Sequence, residues 1–335
     1  MSSVALSIDI MLPSLGEISH MLGVQAGNDR QLVIVALFVG LTCGQLVFGP
    51  VSDKTGRRPM IFLGIGVFVV GSMICALAAS FEVMLLGRIL QGFGAAGPRI
   101  VTVALIRDRF DGQAMAQVMS IIMGIFIFVP ILAPSVGQAL LFVMPWRGLF
   151  LVLAVISLAG GTWLALRQQE TLAKPVALTP RTYARASLEV FRSSAPMAFT
   201  FAGACAYGAL MGYINSSQQL FQDVYGLGDA YALWFGLSAA FISAATFINA
   251  RLVASIRMEI ICLAAMAILV LWVLGFELYF RSTDHTPDLW LWMVFNCVNL
   301  FLLGLTFGNF NAIALKPFRH IAGIAAALVA SVNAA

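Results

Sequence analysis

Three ionisable side chains stand inside long apolar runs of this sequence: Asp9, Arg88 and Arg99. An acid in a membrane-spanning helix costs roughly 2.5–3.5 kcal/mol on insertion scales and is retained mainly where it faces a cavity or a partner. Burial disfavours its charged form, so Asp9 is the candidate for a carboxyl that takes up and releases a proton in competition with a cationic or polar solute. The plain alternative is an Asp9 near a membrane face, solvated or capping a helix. An arginine keeps its charge at ordinary pH, so Arg88 and Arg99 must pair, snorkel or line water. Arg88 falls about one turn from the expected outer end of its helix, where snorkelling is the bland option. Arg99 follows Pro98, lies deeper, and could meet an anionic group or Asp9.

Other polar groups are neutral. Tyr207, Tyr213, Asn215, Gln218 and Gln219 fall in one apolar run, and Asn296, Asn299, Asn309 and Asn311 in another. Uncharged donors and acceptors beside rings suit a broad, weakly selective pocket, and bonding between helices is the equal alternative. His20, His285 and His320 lie far apart at expected helix ends, so no constellation for an intramembrane enzyme is present. The five cysteines show no metal-ligand or disulfide spacing, and neither a cofactor nor a metal is expected.

The elements that must position these groups are membrane helices. The chain has 335 residues, 61% hydrophobic and 10% charged, with a mean hydropathy of +0.95. Such apolar excess exceeds what one aqueous core hides and matches about eleven spans of roughly 20 residues. The fold class expected is an all-α polytopic membrane protein. Spans are expected near residues 1–24, 31–51, 60–79, 83–106, 115–142, 148–166, 196–221, 231–253, 259–280, 289–315 and 320–335. The polar interval 167–195 divides the chain into a bundle at 1–166 and a second at 196–335, with an interfacial amphipathic helix expected around 183–191. An odd count, an abrupt start and a short last run suggest a first helix clipped at its start and a missing twelfth.

Between the second and third spans lies the charged island Gly49-Pro50-Val51-Ser52-Asp53-Lys54-Thr55-Gly56-Arg57-Arg58-Pro59. It is expected to be a tight polar turn at a membrane face, with Pro59 in the first turn of the next helix. Most remaining basic residues, including Arg107, Arg109, Arg167, Arg185, Arg192, Arg251 and Lys316, fall on the same face, against Arg30, Arg147 and Arg281 opposite. Positive charge near helix ends stays in the cytoplasm, which places the amino terminus inside. The scatter of charge through short loops reports topology and argues against a nucleic-acid partner. In the fifth span Gly124, Pro130, Ala133, Pro134 and Gly137 mark a bend, because each proline frees a backbone carbonyl.

The island's Gly-x-x-x-Asp-x-x-Gly-Arg-Arg pattern, between two spans, resembles the signature loop of the major facilitator superfamily. Ile8-Asp9-Ile10-Met11-Leu12-Pro13 is similar to the first-helix motif of its drug/proton antiporters, and Arg88-Ile89-Leu90-Gln91-Gly92 to its fourth-helix motif. Ala133-Pro134, Trp146-Arg147 with Phe150, and Glu170-Thr171-Leu172 resemble the bicyclomycin/chloramphenicol-resistance (Bcr/CflA) branch. The second half matches mainly by hydropathy. The resemblance implies two pseudo-symmetric bundles in a bacterial inner membrane, acting as a monomer that exports small amphipathic drugs or metabolites in exchange for protons. It implies proton coupling at Asp9 and Arg88, and a latch of Gly49, Asp53, Gly56, Arg57, Arg58 and Arg107, with Arg107 paired to Asp53. An antiporter-motif kink would lie at Gly124 to Gly137, and a substrate cavity would include Arg99 and the 207–219 set. A uniporter or importer, and a non-transporting fragment, are the alternatives.

Overall fold

A computed structural model describes residues 3–24, 29–110, 118, 129, 132–172, 180–283, 286–318 and 321–334. Among them α1 (Ser3–Asp9), α2 (Leu15–Met21), α3 (Leu32–Thr55), α4 (Arg57–Ala76) and α5 (Phe81–Arg109) come first. They are followed by α6 (Leu132–Leu141), α7 (Trp146–Arg167), α8 (Pro180–Arg192), α9 (Ser194–Gln218), α10 (Tyr231–Leu252), α11 (Met258–Thr283), α12 (Leu289–Leu315) and α13 (Ala322–Ala334). Eight helices of the described residues are long and apolar enough to cross a membrane, and α6 and the middle of α13 are shorter apolar helices. The helical positions follow the hydropathy of the chain, because only a helix satisfies its own backbone groups in hydrocarbon.

Two expectations need correction. The first span is not continuous: α1 stops at Asp9, a 3-10 turn covers Leu12–Ser14, and α2 follows. Pro13 is the cause, since it has no N–H to give the Asp9 carbonyl four residues back and its ring crowds that carbonyl. Nor is the charged island a loop. Helix α3 runs through Pro50 to Thr55, and α4 starts at Arg57, so the turn is Gly56 alone. Gly56 has φ +108, a conformation in which a side chain is strained, and a Cβ there would stand 2.7 Å from a Glu170 carboxylate oxygen. Pro59 lies in the first turn of α4, as expected.

The contacts divide the chain into two units, Met1–Arg192 with His320–Ala335, and Ser193–Arg319. The last helix therefore groups with the first unit and not, as the sequence suggested, with the residues from 196 onward. It packs on α3 and α8, where a Cβ on Gly49 would meet the Ala327 methyl at 3.6 Å.

The first unit is centred on α5, packed against α3 and α4. Gly40 on α3 faces the Ile89 carbonyl, and Gly92 on α5 faces the Leu37 carbonyl, leaving no room for a Cβ at either. Backbones at this separation exchange many dispersion contacts without a hydrophobic driving force between helices. Gly92→Leu is expected to force α3 and α5 apart at a cost of about 1–3 kcal/mol or more. A thermal unfolding midpoint in detergent equal to that of the parent protein would remove this explanation.

Candidate functional site

Asp9 is buried, 3% exposed, at the point where the first span breaks. No ion pair reaches it among the described residues, and none joins it to Arg99, which is half-buried on α5. Against this break lies α6. Gly137 sits over the Ile10 carbonyl so closely that a side chain could not fit, while Ala133 and Pro134 are buried beside it. The structure thus brings together two motifs more than 120 residues apart in sequence, the acid of the first span and the small-residue stretch of the fifth. Gly124 and Pro130 lie outside the described residues.

Arg88 is fully buried and does not snorkel. Its Nε donates to the Val33 carbonyl at 2.9 Å, and Nη1 to the Ser7 carbonyl at 3.1 Å and to Gln91 Oε1 at 2.6 Å. The Gln91 amide in turn donates to Ser72 Oγ at 2.8 Å, and that hydroxyl to the Phe68 carbonyl at 2.8 Å. The guanidinium carbon stands 5.9 Å from the Phe150 ring centroid. One side chain therefore fastens α1, α3 and α5 to each other, and through Gln91 and Ser72 to α4, two residues from the carboxyl of Asp9 in the chain of α1. Its Nη2 has no acceptor among the described residues.

At the α3–α4 corner Arg57 is buried and holds two acids. It pairs with Asp53 at 2.5 Å and, through Nε, with Asp108 at 2.8 Å; Nη1 also donates to Ser52 Oγ at 2.8 Å. Helix α4 is capped from 113 residues away: Glu170 accepts the Arg57 and Arg58 backbone N–H groups, each at 3.0 Å, as well as those of Thr171 and Leu172. Arg58 reaches the Ala165 carbonyl at 2.6 Å. Arg107 lies in α5, and the expected Arg107–Asp53 contact falls on a side chain outside the described ones; among the described residues Asp53 pairs with Arg57.

Burial pushes the Glu170 carboxyl up, but the converging N–H groups of Leu172, Arg57, Arg58 and Thr171 outweigh it and hold the group below the usual carboxylate range. A depressed folded value means that the cap stabilises the fold at pH above the unfolded carboxyl value and is lost as pH falls through the folded one. Because Glu170 is largely exposed, Glu170→Gln is expected to cost only about 0.5–1 kcal/mol at neutral pH. Thermal unfolding against pH checks this: the gap between variant and parent should close on acidification, and a gap independent of pH would rule out the cap.

In the second unit the candidate residues of α9 meet rings of α10 and α12 or groups one turn along their own chain. Tyr213 stacks on Phe235 at 5.8 Å and on Trp292 at 6.4 Å, and Tyr207 meets Phe307 edge-on at 6.4 Å. Asn215 donates to the Met211 carbonyl at 2.8 Å, and Gln218 to Gln222 at 2.6 Å. Gln219 opens a wide turn of π geometry to Val224. On α12, Asn309 exchanges two hydrogen bonds with Asn249 of α10, at 2.8 and 3.1 Å, and Asn296 donates to Ser238 at 3.1 Å. For these two asparagines, bonding between helices is what the geometry contains.

Sequence reasoning left Asp108 and Ser72 without a role, named Gln91 only as part of the Arg88-to-Gly92 motif, and missed the capping by Glu170. Asp108 had a signal, adjacency to Arg107 on the face of the island; a lone serine in a span gives none.

The sequence profile of the Major Facilitator Superfamily matches residues 1–335. Among its relatives, the chain is 29% identical over 329 residues to the "Uncharacterized MFS-type transporter YdgK" of Bacillus subtilis, covering 97% of this chain and 81% of the relative. It is 27% identical over 334 residues to the "Bicyclomycin resistance protein homolog" of Haemophilus influenzae, covering 97% and 82%. A third, the "Multidrug resistance protein MdtL" of Salmonella typhimurium, is 29% identical over 331 residues, covering 95% and 79%. The fold matches that of a D-xylose-proton symporter with a TM-score of 0.75 at 12% identity, over 99% of this chain and 85% of that one. It also matches a bacterial homologue of the lysosomal transporter Spinster with a TM-score of 0.69 at 14% identity, over 99% and 76%.

Proposed function

The chain belongs to the Major Facilitator Superfamily, and on that premise we propose that it exports small amphipathic drugs or metabolites across a bacterial inner membrane in exchange for protons, by alternating access. Membership of this family points to a multi-pass transporter of a solute rather than an enzyme. Drug-resistance names among the relatives support efflux as the direction. The observation that carries the exchange is the buried Asp9 at the broken first span, under Gly137 of α6. A carboxyl held there can exist charged or neutral within one packing arrangement, and a cation or polar solute and a proton are then alternatives at the same group.

In this reading Arg88 fixes the segment that carries Asp9, and the 207–219 residues with Arg99 contribute to solute binding. Gly49, Asp53, Gly56, Arg57, Arg58 and Arg107 belong to a cytoplasmic latch, with the amino terminus inside and the working unit a monomer. The test is transport into proteoliposomes of an ethidium-like cation and of a neutral antibiotic under an imposed pH gradient. Accumulation that follows the gradient and collapses with a protonophore is expected. Equal transport with the gradient abolished would identify a uniporter and overturn the proposal.

A further inference from the structure

Within the first unit a crevice of about 300 Å³ opens between α1, α4, α5 and α7, lined by Leu6, Ile61, Pro98, Leu153, Ile156 and Leu164. It is apolar and open to the side, where Ile156 and Gly160 are exposed. Its far end is the α3–α4 corner, the face on which most basic residues fall. There Arg58 reaches the carbonyl of Ala165, next to the lining residue Leu164, and lies over the Phe62 ring at 5.6 Å. The Arg58 Nε is buried and has no acceptor among the described residues. Two residues beyond Ala165, the exposed Arg167 covers the ring of Trp163 at 5.6 Å, and Trp163 is itself exposed.

This is a vertical order of three layers in the first unit: an open apolar slot in the span, an indole at its rim, and two guanidiniums at the face. Tryptophan is enriched at the headgroup level of a bilayer, and arginine there attracts anionic headgroups. A guanidinium also matches a phosphodiester through parallel N–H donors. We propose that this crevice is the seat of one anionic phospholipid of the inner leaflet, with an acyl chain in the slot and the phosphate on Arg58 and Arg167. The occupant is lipid and not a transported solute, because the slot opens sideways and the only polar side chains lining it are the uncharged hydroxyls of Thr102 and Ser157. The assignment does not depend on which solute the protein carries.

Gly160 gives a probe, since a Cβ there would meet nothing within 4 Å: Gly160→Leu puts a branched side chain at the open side of the slot and leaves both arginines in place. The experiment is native mass spectrometry of the purified chain in detergent, with phosphatidylglycerol, phosphatidylethanolamine and phosphatidylcholine of the same acyl chains, and glycerol phosphate as the chain-free headgroup. One phosphatidylglycerol is expected to be retained in preference to the other two, and glycerol phosphate not to displace it. Arg58→Gln should weaken retention about fivefold, the equivalent of about 1 kcal/mol for one arginine at the membrane surface. Gly160→Leu should weaken it as well at an unchanged unfolding midpoint, so the conclusion does not rest on Arg58→Gln folding well. Equal retention of phosphatidylglycerol and phosphatidylcholine, retention unaffected by Gly160→Leu, or displacement by glycerol phosphate would each overturn the seat.

Discussion

Asp9→Asn is expected to fold, and to release no protons when substrate is added. Asparagine keeps the size of the side chain and removes only its ability to ionise, so the packing of α1 under Gly137 is retained. Losing a carboxyl that is 3% exposed removes a burial penalty, and the unfolding midpoint should hold or rise. The neutral amide mimics the protonated acid: cationic substrates bind more weakly, at a strength that no longer changes with pH. For exchange of one proton against a neutral solute, the membrane potential supplies roughly 2.3 kcal/mol per 100 mV. That corresponds to about a fiftyfold concentration ratio at 100 mV, and the variant should lose it while downhill movement persists. Substrate-evoked proton release in weakly buffered detergent solution, run beside the parent protein, decides the matter. Release of the same size from the variant would place the exchanging group elsewhere.

Arg88→Leu is expected to cost on the order of 3 kcal/mol of stability. It removes the donors of the Val33 and Ser7 carbonyls and of Gln91 Oε1, and leaves a void where a guanidinium was. Part of this is offset because the buried charge goes too. Arg88→Lys should recover only a fraction, since one ammonium cannot reproduce a planar fork directed at three acceptors on α1, α3 and α5. The checks are the unfolding midpoint in detergent and the hydrogen exchange of residues 3–21. An unchanged midpoint for Arg88→Leu would show that helix packing alone holds the first span in place. If the midpoint falls but proton release per folded molecule survives, Arg88 is structural and not part of coupling.

How far the site was legible depended on the range of the interaction. Asp9 and Arg88 stood out as single charges in apolar runs, an energetic anomaly visible in composition alone. The break beside Asp9 was also written locally, in Pro13, although a continuous span was expected there. The island was misjudged as a loop because its polar residues read as a turn, whereas α3 extends past the apolar run and a single left-handed glycine turns the corner. Pairing of Asp53 with Arg57 was available from the spacing of the two. That Arg57 also holds Asp108, and that Glu170 caps α4, was not, because α5 and the segment that follows α7 deliver those acids from 51 and 113 residues away.

By itself the sequence determined that the chain is built of apolar helices, most of them long enough to cross a membrane, and which charges inside them must find partners. These follow from transfer free energies, which are sums over local composition and need no knowledge of neighbours. Only the tertiary structure decided that Gly137 lies on Ile10, that Arg88 binds Ser7, that the last helix packs with the first unit and that Arg58 rims an apolar slot. Helix contacts in a membrane are set by where small residues let backbones approach and where polar groups bond across. That complementarity belongs to pairs of surfaces and leaves no mark on either sequence alone.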